Sequence, residues 1–371
     1  MKAASDRRAE PMLLMTPGPT RVPERVLAAG ARPMIHHRTA EFSDELRQML
    51  ELLQPVFGTR EQPVLPVHTT GRGAMEASIC NLFSPGDAIA VCCNGKFGEM
   101  WETFARSYGL LVHRVAADWD HDVDPSELDQ LLAGNPSIRA VALAYGDTST
   151  GVANYVAGVA RVACARDALV LVDGVSSIGG MPFDFDGWGV DVAITASQKC
   201  LMSSPGLSFV VLSERARTAN AKAGFPRSYW DFAEIRRAVT KARSEPAGTP
   251  PIHCVMQVGE ALRMIHEEGI ETVFRRHAEM AAMVHRGMAS LGLEHQCPSL
   301  TRRATTVTAI ALPPDHPPAQ VRDAMRAQGL LVAGALEHFQ PTAFRIGHMG
   351  DIRPADVERT LDALRETLTG R

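Results

Sequence analysis

From about residue 64 to residue 212, short apolar runs alternate with stretches whose apolar residues recur at helical spacing. The runs are VLPV, AIAVCC, LLVHRV, IRAVALA, LVLVD, VAIT and SFVVL, and the helical stretches include Ala74–Phe83, Phe97–Tyr108 and Tyr155–Arg166. Runs that are apolar at nearly every position suit strands buried on both faces. Their alternation with helices predicts an α/β fold, a mostly parallel seven-stranded sheet between helices, with a ligand at the carboxyl ends of the strands. Ala221–Pro251 breaks the rhythm; rich in Arg, Pro and Gly, it reads as an exposed excursion between domains. A helical pattern resumes from Cys254 to Leu291, long enough to bridge two domains. Beyond it TTVTAIAL, GLLVAG and FRIG read as short strands, with helices near Pro317–Ala327 and Pro354–Thr367. The predicted division is an N-terminal segment (1–22), a large domain (23–255) and a smaller α+β C-terminal domain (256–371) that includes the bridging helix.

Composition narrows the partners. With 45% hydrophobic and 22% charged residues, the 371-residue chain is ordinary globular protein, not a disordered, collagen-like or coiled-coil one. A net charge of −4 leaves no bulk basic field for nucleic acid, so small molecules are the expected partners. No apolar run approaches a membrane span, and MKAASDRRAEP has no apolar core of a secretory signal, so a soluble, cytoplasmic protein is expected. Seven cysteines without a CxxC point to a reducing compartment, and adjacent Cys92 and Cys93 read as two packed thiols within a strand.

The commonest catalytic motifs are absent: there is no GxSxG and no Walker A sequence. Thr70-Gly71-Arg72-Gly73 opens a helix, and bare N–H groups at a helix start suit a phosphate. A plain glycine turn between strand and helix explains the same residues equally well. LVLVD ends in Asp173, a carboxylate at the ligand edge of the sheet or an ordinary turn cap. Lys199 directly follows another apolar run, where it is either an imine-forming lysine with a depressed pKa or a surface lysine in a polar loop.

A phosphate cradle, a strand-end aspartate and a loop lysine are together the parts that hold pyridoxal phosphate. The chain resembles the class V (fold-type I) aminotransferases, near the alanine/serine–glyoxylate branch. The resemblance runs from MTPGPTRVPERVL to RIGHMG through GAMEA, NGKFGEMW, DTSTGV, LVDGVSSIGG, SQKCLMSSPGLSF and TPP. It implies a pyridoxal-phosphate transaminase working by a ping-pong mechanism on a small amino acid donor and glyoxylate or pyruvate. By the same resemblance Lys199 carries the cofactor and moves the proton, Asp173 keeps the ring nitrogen protonated, and Val175 and Phe97 pack the two ring faces. Thr70, Gly71, Arg72, Thr148 and Gln198 would hold the cofactor, Thr249 would reach the phosphate of a second subunit in a homodimer, and Arg345 would bind the substrate α-carboxylate. No metal is expected.

Departures from the family pattern fall on segments expected to border the site. Arg72 stands where a small or neutral residue is usual, adding charge to the phosphate or reaching a second substrate anion. Tyr145-Gly146-Asp147 replaces His-x-Glu, and His36 and Pro246 replace a glycine and an aromatic. Gly334-Ala335-Leu336-Glu337, followed by His338, replaces Gly-Gly-Leu-Gly, and Glu337 and His338 are taken as an exposed loop in preference to pocket residues. The alternative activity is a lyase or cysteine desulfurase on the same fold. Gln198 stands where desulfurases usually have histidine, and Cys297 is the nearest candidate for their reactive cysteine.

Overall fold

The structure, a computed structural model, describes residues 12–370. The segment MKAASDRRAEP, on which the reading of no secretory signal rests, lies outside the described residues. In chain order the strands are β1 (Leu13–Met15), β2 (Val64–Val67), β3 (Ala88–Cys93), β4 (Leu111–Ala116), β5 (Ile138–Ala144), β6 (Gly146–Asp147) and β7 (Val152–Ala153). They continue with β8 (Leu169–Asp173), β9 (Val192–Ala196), β10 (Ser208–Leu212), β11 (Glu294–His295), β12 (Val307–Ala311), β13 (Leu330–Gly334) and β14 (Ala343–Gly347).

All seven apolar runs of the 64–212 region enter one seven-stranded sheet, ordered β2-β10-β9-β8-β5-β3-β4. Five strands, from β9 to β4, run parallel, and β10 is antiparallel to both of its neighbours. Helices cover both faces, so β3, β9 and β10 are buried at every position. Cys92 and Cys93 lie in that interior as free thiols; of the seven cysteines, all free, Cys164 alone is exposed. A second sheet, β1-β13-β14-β12-β11, packs its own core against the helices Ile270–Ser290, Pro318–Ala327 and Pro354–Thr369. Leu13 and Met15 of β1 belong to this second core, so the N-terminal segment is built into the smaller sheet.

Two expectations are corrected. Ala221–Pro251 is not an exposed excursion: it contains the helix Phe232–Val239, whose Phe232, Ile235, Ala238 and Val239 are buried. The bridging stretch is two helices, Ile252–Glu268 and Ile270–Ser290, because Gly269 adopts φ +87°, a left-handed conformation that ends the first. The first of the two packs Val255, Val258 and Leu262 into the core of the large sheet, and the second turns to the smaller sheet. No helix among the described residues is long and apolar enough to cross a membrane.

Candidate active site

The site forms where the carboxyl ends of the parallel strands meet the small sheet. Asp173 is the last residue of β8, and its carboxylate accepts a hydrogen bond from Val175 N–H at 2.9 Å. Burial pushes Asp173 up to about 6; the neighbouring Asp147 adds to the rise and Lys199 opposes it. Lys199 follows β9, and burial pulls its amine down to about 8, against the attraction of Asp173 and with the help of Arg345. Its Nζ donates to the carbonyl oxygen of Pro17. The neighbouring Gly18 has φ +104°, and a Cβ there would lie 2.7 Å from Lys199 Cε and 2.8 Å from Nζ. The Met15–Thr20 strap is thus threaded against the lysine, with Thr20 Oγ1 donating to Lys199 O at 3.1 Å.

Arg345 lies in β14 with its guanidinium in the cleft between the two sheets. Its Nε donates to Gly334 O at 2.8 Å and its Nη1 to Thr148 O at 2.9 Å. Burial lowers it to about 10, and Asp147 counteracts the fall. Thr148 is buried, with its hydroxyl against that of Ser176. Asp147 is wholly buried, and its two oxygens take the N–H groups of Phe97 (3.0 Å), Gly98 (3.4 Å) and Ser149 (2.9 Å). It therefore caps the Lys96–Ser107 helix and fixes Phe97, which is half-buried at the helix start.

At the start of the Gly71–Leu82 helix, Thr70 provides no side-chain cap, so the first-turn N–H groups of Gly71, Arg72 and Gly73 have no acceptor among the described residues. Arg72 is exposed and has no ion-pair partner among them. A Cβ on Gly71 would lie 2.6 Å from Val175 Cγ2, so this helix start closes directly onto the loop after Asp173. Gln198 carries a buried Oε1 without a hydrogen-bond partner. Free backbone donors, an unpaired guanidinium, a strand-end carboxylate and a desolvated amine make a donor set that fits a phosphorylated, ring-nitrogen-bearing aldehyde such as pyridoxal phosphate.

Ten of the eleven candidate residues are thus linked through direct contacts or near neighbours. Thr249 is the exception: it lines a concavity of ≈ 760 Å³ with Met34, His36, His37 and Ile252, where no other candidate residue sits. Pro17, Gly18 and Ser176 were not singled out from the sequence, and Asp147 only as a departure on a segment bordering the site; the Pro-Gly-Pro turn of MTPGPT was the one local signal, and the structure gives its glycine φ +104°. The Tyr145 and Asp147 departures are structural. Tyr145 packs between Phe183 and Trp188 and donates to Pro182 O at 2.8 Å, while Asp147 caps a helix. Glu337 and His338 are exposed, as expected of a loop, yet neither is free: Glu337 pairs with Lys96, and His338 packs on Trp119 with ring centroids 4.5 Å apart. Cys297 is buried, its thiol donates to Ser299 O and Arg302 O, and burial pushes its pKa up. A reactive thiolate needs the opposite shift.

An open sheet with lysine, aspartate and a helix start of free N–H groups at its carboxyl edge, and an arginine from the smaller sheet, fits a fold-type I enzyme of amino-group chemistry. The family model "Aminotransferase class-V" matches residues 13–353. The chain is 34% identical to the soluble hydrogenase 42 kDa subunit of Anabaena cylindrica, over 96% of this chain and 93% of that one. It is 33% identical to the L-aspartate–glyoxylate aminotransferase of Paracoccus denitrificans, over 92% and 87%. The crystal structure of ureidoglycine–glyoxylate aminotransferase from Bacillus subtilis superposes with a TM-score of 0.92 at 28% identity, covering 97% of this chain and 93% of that one. The chain belongs to the class-V aminotransferase family, and its class of chemistry is amino-group transfer.

Proposed function

We propose that the protein moves the amino group of a small amino acid to glyoxylate or a similarly small 2-oxo acid, in ping-pong order, with pyridoxal phosphate as cofactor. The observation that carries this reading is the convergence of Lys199, Asp173 and Arg345 in one cleft, each held by neutral groups of the protein. Glyoxylate as acceptor is supported by the names of the Paracoccus and Bacillus relatives. When bound, the cofactor supplies an aldehyde that links to amines and a ring that takes up the electron pair released at the substrate α-carbon.

The residues divide the work. The first-turn N–H groups of Gly71–Gly73, with Thr70, Arg72 and Gln198, hold the phosphate. Asp173 would keep a proton on the ring nitrogen, and its buried setting would strengthen that attraction. Phe97 and Val175 would pack against the ring, and Thr148 would help hold the cofactor. Lys199, with its amine pulled down to about 8, is substantially neutral near that pH; it would carry the cofactor and, when free, move the proton at the substrate α-carbon. Arg345 grips the α-carboxylate through a fork already oriented by two carbonyls. We place Thr249 at the cofactor of a second subunit in a homodimer; the mainly apolar concavity beside it, with Met34 63% exposed, supports that placement. Cytoplasmic location and a division into segments 1–22, 23–255 and 256–371 belong to the same reading.

The test is a visible absorbance titration of the purified holoenzyme without acceptor, against alanine, serine, glycine, aspartate, glutamate and cysteine. The expected result is loss of the cofactor's visible band with one equivalent of 2-oxo acid for at least one donor, and return of the band on adding glyoxylate. A band that persists, or that recovers while ammonia or sulfide accumulates, overturns the transaminase reading in favour of a lyase.

A further inference from the structure

The loop joining β13 to β14 crosses from the small sheet to the large domain and grips it at two points. Glu337 pairs with Lys96, the residue beside Phe97 at the helix start. His338 and Phe339 pack on Trp119, with ring centroids 4.5 and 5.9 Å away. Trp119 is itself buried, 8% exposed, in a loop tied down where Asn94 Nδ2 donates to His121 O at 2.8 Å. The far side of the grip is therefore rigid and adjoins the candidate cofactor residues.

The near side reaches Arg345. The loop leaves β13 directly after Gly334, whose carbonyl oxygen accepts from Arg345 Nε, and the other carbonyl on that guanidinium, Thr148 O, belongs to the large domain. The orientation of the fork thus depends on how the 335–342 loop, and the strand end it continues from, sit against the large domain. Glu337 adopts φ +50°, a left-handed conformation that disfavours a side chain and suits glycine. The chain holds a glutamate there nonetheless, and its carboxylate is the group that reaches Lys96. A strained residue whose side chain makes a contact between domains beside the site is the pattern of backbone strain retained for function.

We propose that Glu337 is a positioning residue for Arg345: its pairing with Lys96, backed by His338 and Phe339 on Trp119, fixes the loop that sets the carboxylate fork and so tunes affinity for the amino donor. This rests on the reading of Arg345 as the substrate carboxylate anchor. Lys96 and Glu337 are not among the residues assigned above to the cofactor or to the substrate carboxylate.

The experiment compares the wild-type holoenzyme with E337G, E337Q, K96M and the charge swap K96E/E337K, by steady-state kinetics and by hydrogen exchange of residues 335–342. Glycine suits the backbone at position 337, so E337G is expected to fold at least as well as wild type and still lose the grip. The expected result for E337G and K96M is a donor KM raised about tenfold with kcat within a factor of about two, since substrate is held less well while the reacting groups are untouched. Exchange of 335–342 is expected to quicken in the same variants, and the charge swap to restore much of the KM. A purely structural loop would not give a KM change rescued by exchanging two charges. Donor KM and loop exchange both unchanged in E337G and K96M overturn the proposal. A wild type that fails to transaminate overturns the proposed activity instead, and the exchange data on the same variants still decide whether the grip exists.

Discussion

Replacing Asp173 by asparagine should stabilise the cofactor-free protein while disabling it. Burial raises the Asp173 carboxyl from an ordinary 3.8 to about 6. Each pKa unit is worth about 1.4 kcal/mol, so keeping this carboxylate ionised at pH 7–8 costs the folded apoprotein about 3 kcal/mol. The sign follows from the direction of the shift: the cost is fully present above the folded value near 6 and vanishes below the unfolded value of 3.8, where both states are protonated. Asparagine keeps an oxygen for the Val175 N–H and has no charge to desolvate. Urea or thermal unfolding of apo D173N should therefore show a gain over wild type at pH 8 that shrinks steadily toward pH 4. Turnover of the reconstituted variant should fall at least about 100-fold, because a neutral amide cannot hold the ring nitrogen protonated. A variant no more stable than wild type at pH 8, or one whose advantage is the same at pH 4, refutes the assignment of Asp173 as a destabilised, functional carboxylate.

Three further outcomes are expected. The rate at which apoprotein captures pyridoxal phosphate should rise with pH through about 8, as the Lys199 amine loses its proton, and K199A should show neither capture of the visible band nor turnover; stopped-flow absorbance reads both. R345K should raise the donor KM by about 10–100-fold with a smaller effect on kcat, because a lysine cannot keep both the Gly334 and Thr148 carbonyls and a two-point carboxylate contact. G95A should destabilise the protein by about 1–3 kcal/mol in urea titrations, since its Cβ would lie 2.7 Å from Asp147 Oδ1 and would displace the cap of the Lys96–Ser107 helix.

The large sheet was legible in the sequence because six of its seven strands, all but the edge strand β4, are buried at nearly every position, and apolar runs of that kind leave little else for those segments to be. The excursion at 221–251 was misread because its Arg, Pro and Gly content masked Phe232, Ile235, Ala238 and Val239, which sit on one face of a helix. The break at Gly269 was invisible for a different reason: the apolar pattern is amphipathic on both sides of it, and a lone glycine inside such a pattern is tolerated in a helix. Lys199 and Asp173 stood out because charged residues at the ends of apolar strands fall at the ligand edge by the geometry of the fold. Pro17 and Gly18 could not be found that way. Their role comes from a contact 182 residues away in the chain, and nothing local in MTPGPT announces which side chain will lie against it. The β13–β14 loop is an intermediate case: a polar sequence correctly indicated exposure, but exposure does not reveal that Lys96 and Trp119 wait opposite.

Four charged groups meet in this cleft, Asp147, Asp173, Lys199 and Arg345, and none forms an ion pair among the described residues. Their formal charges cancel, two negative against two positive, so direct pairing was open to the fold. Each is held instead by backbone dipoles and hydroxyls: Asp147 by N–H groups and Ser149, Asp173 by Val175, Lys199 by Pro17, and Arg345 by two carbonyls. Neutral partners orient a charge without cancelling it, and a charge left uncancelled in a desolvated cleft attracts an incoming ligand far more strongly than a paired one. The same arrangement costs stability in the ligand-free protein, as the upward shift of Asp173 and the downward shifts of Lys199 and Arg345 show. A ligand carrying a phosphate, a ring nitrogen and an aldehyde would answer Asp173 and Lys199 together with the free N–H groups at Gly71–Gly73. A substrate carboxylate would then answer Arg345. Stability forgone in the empty cleft is thereby converted into binding, and cofactor addition should raise the melting temperature of the wild type more than that of D173N.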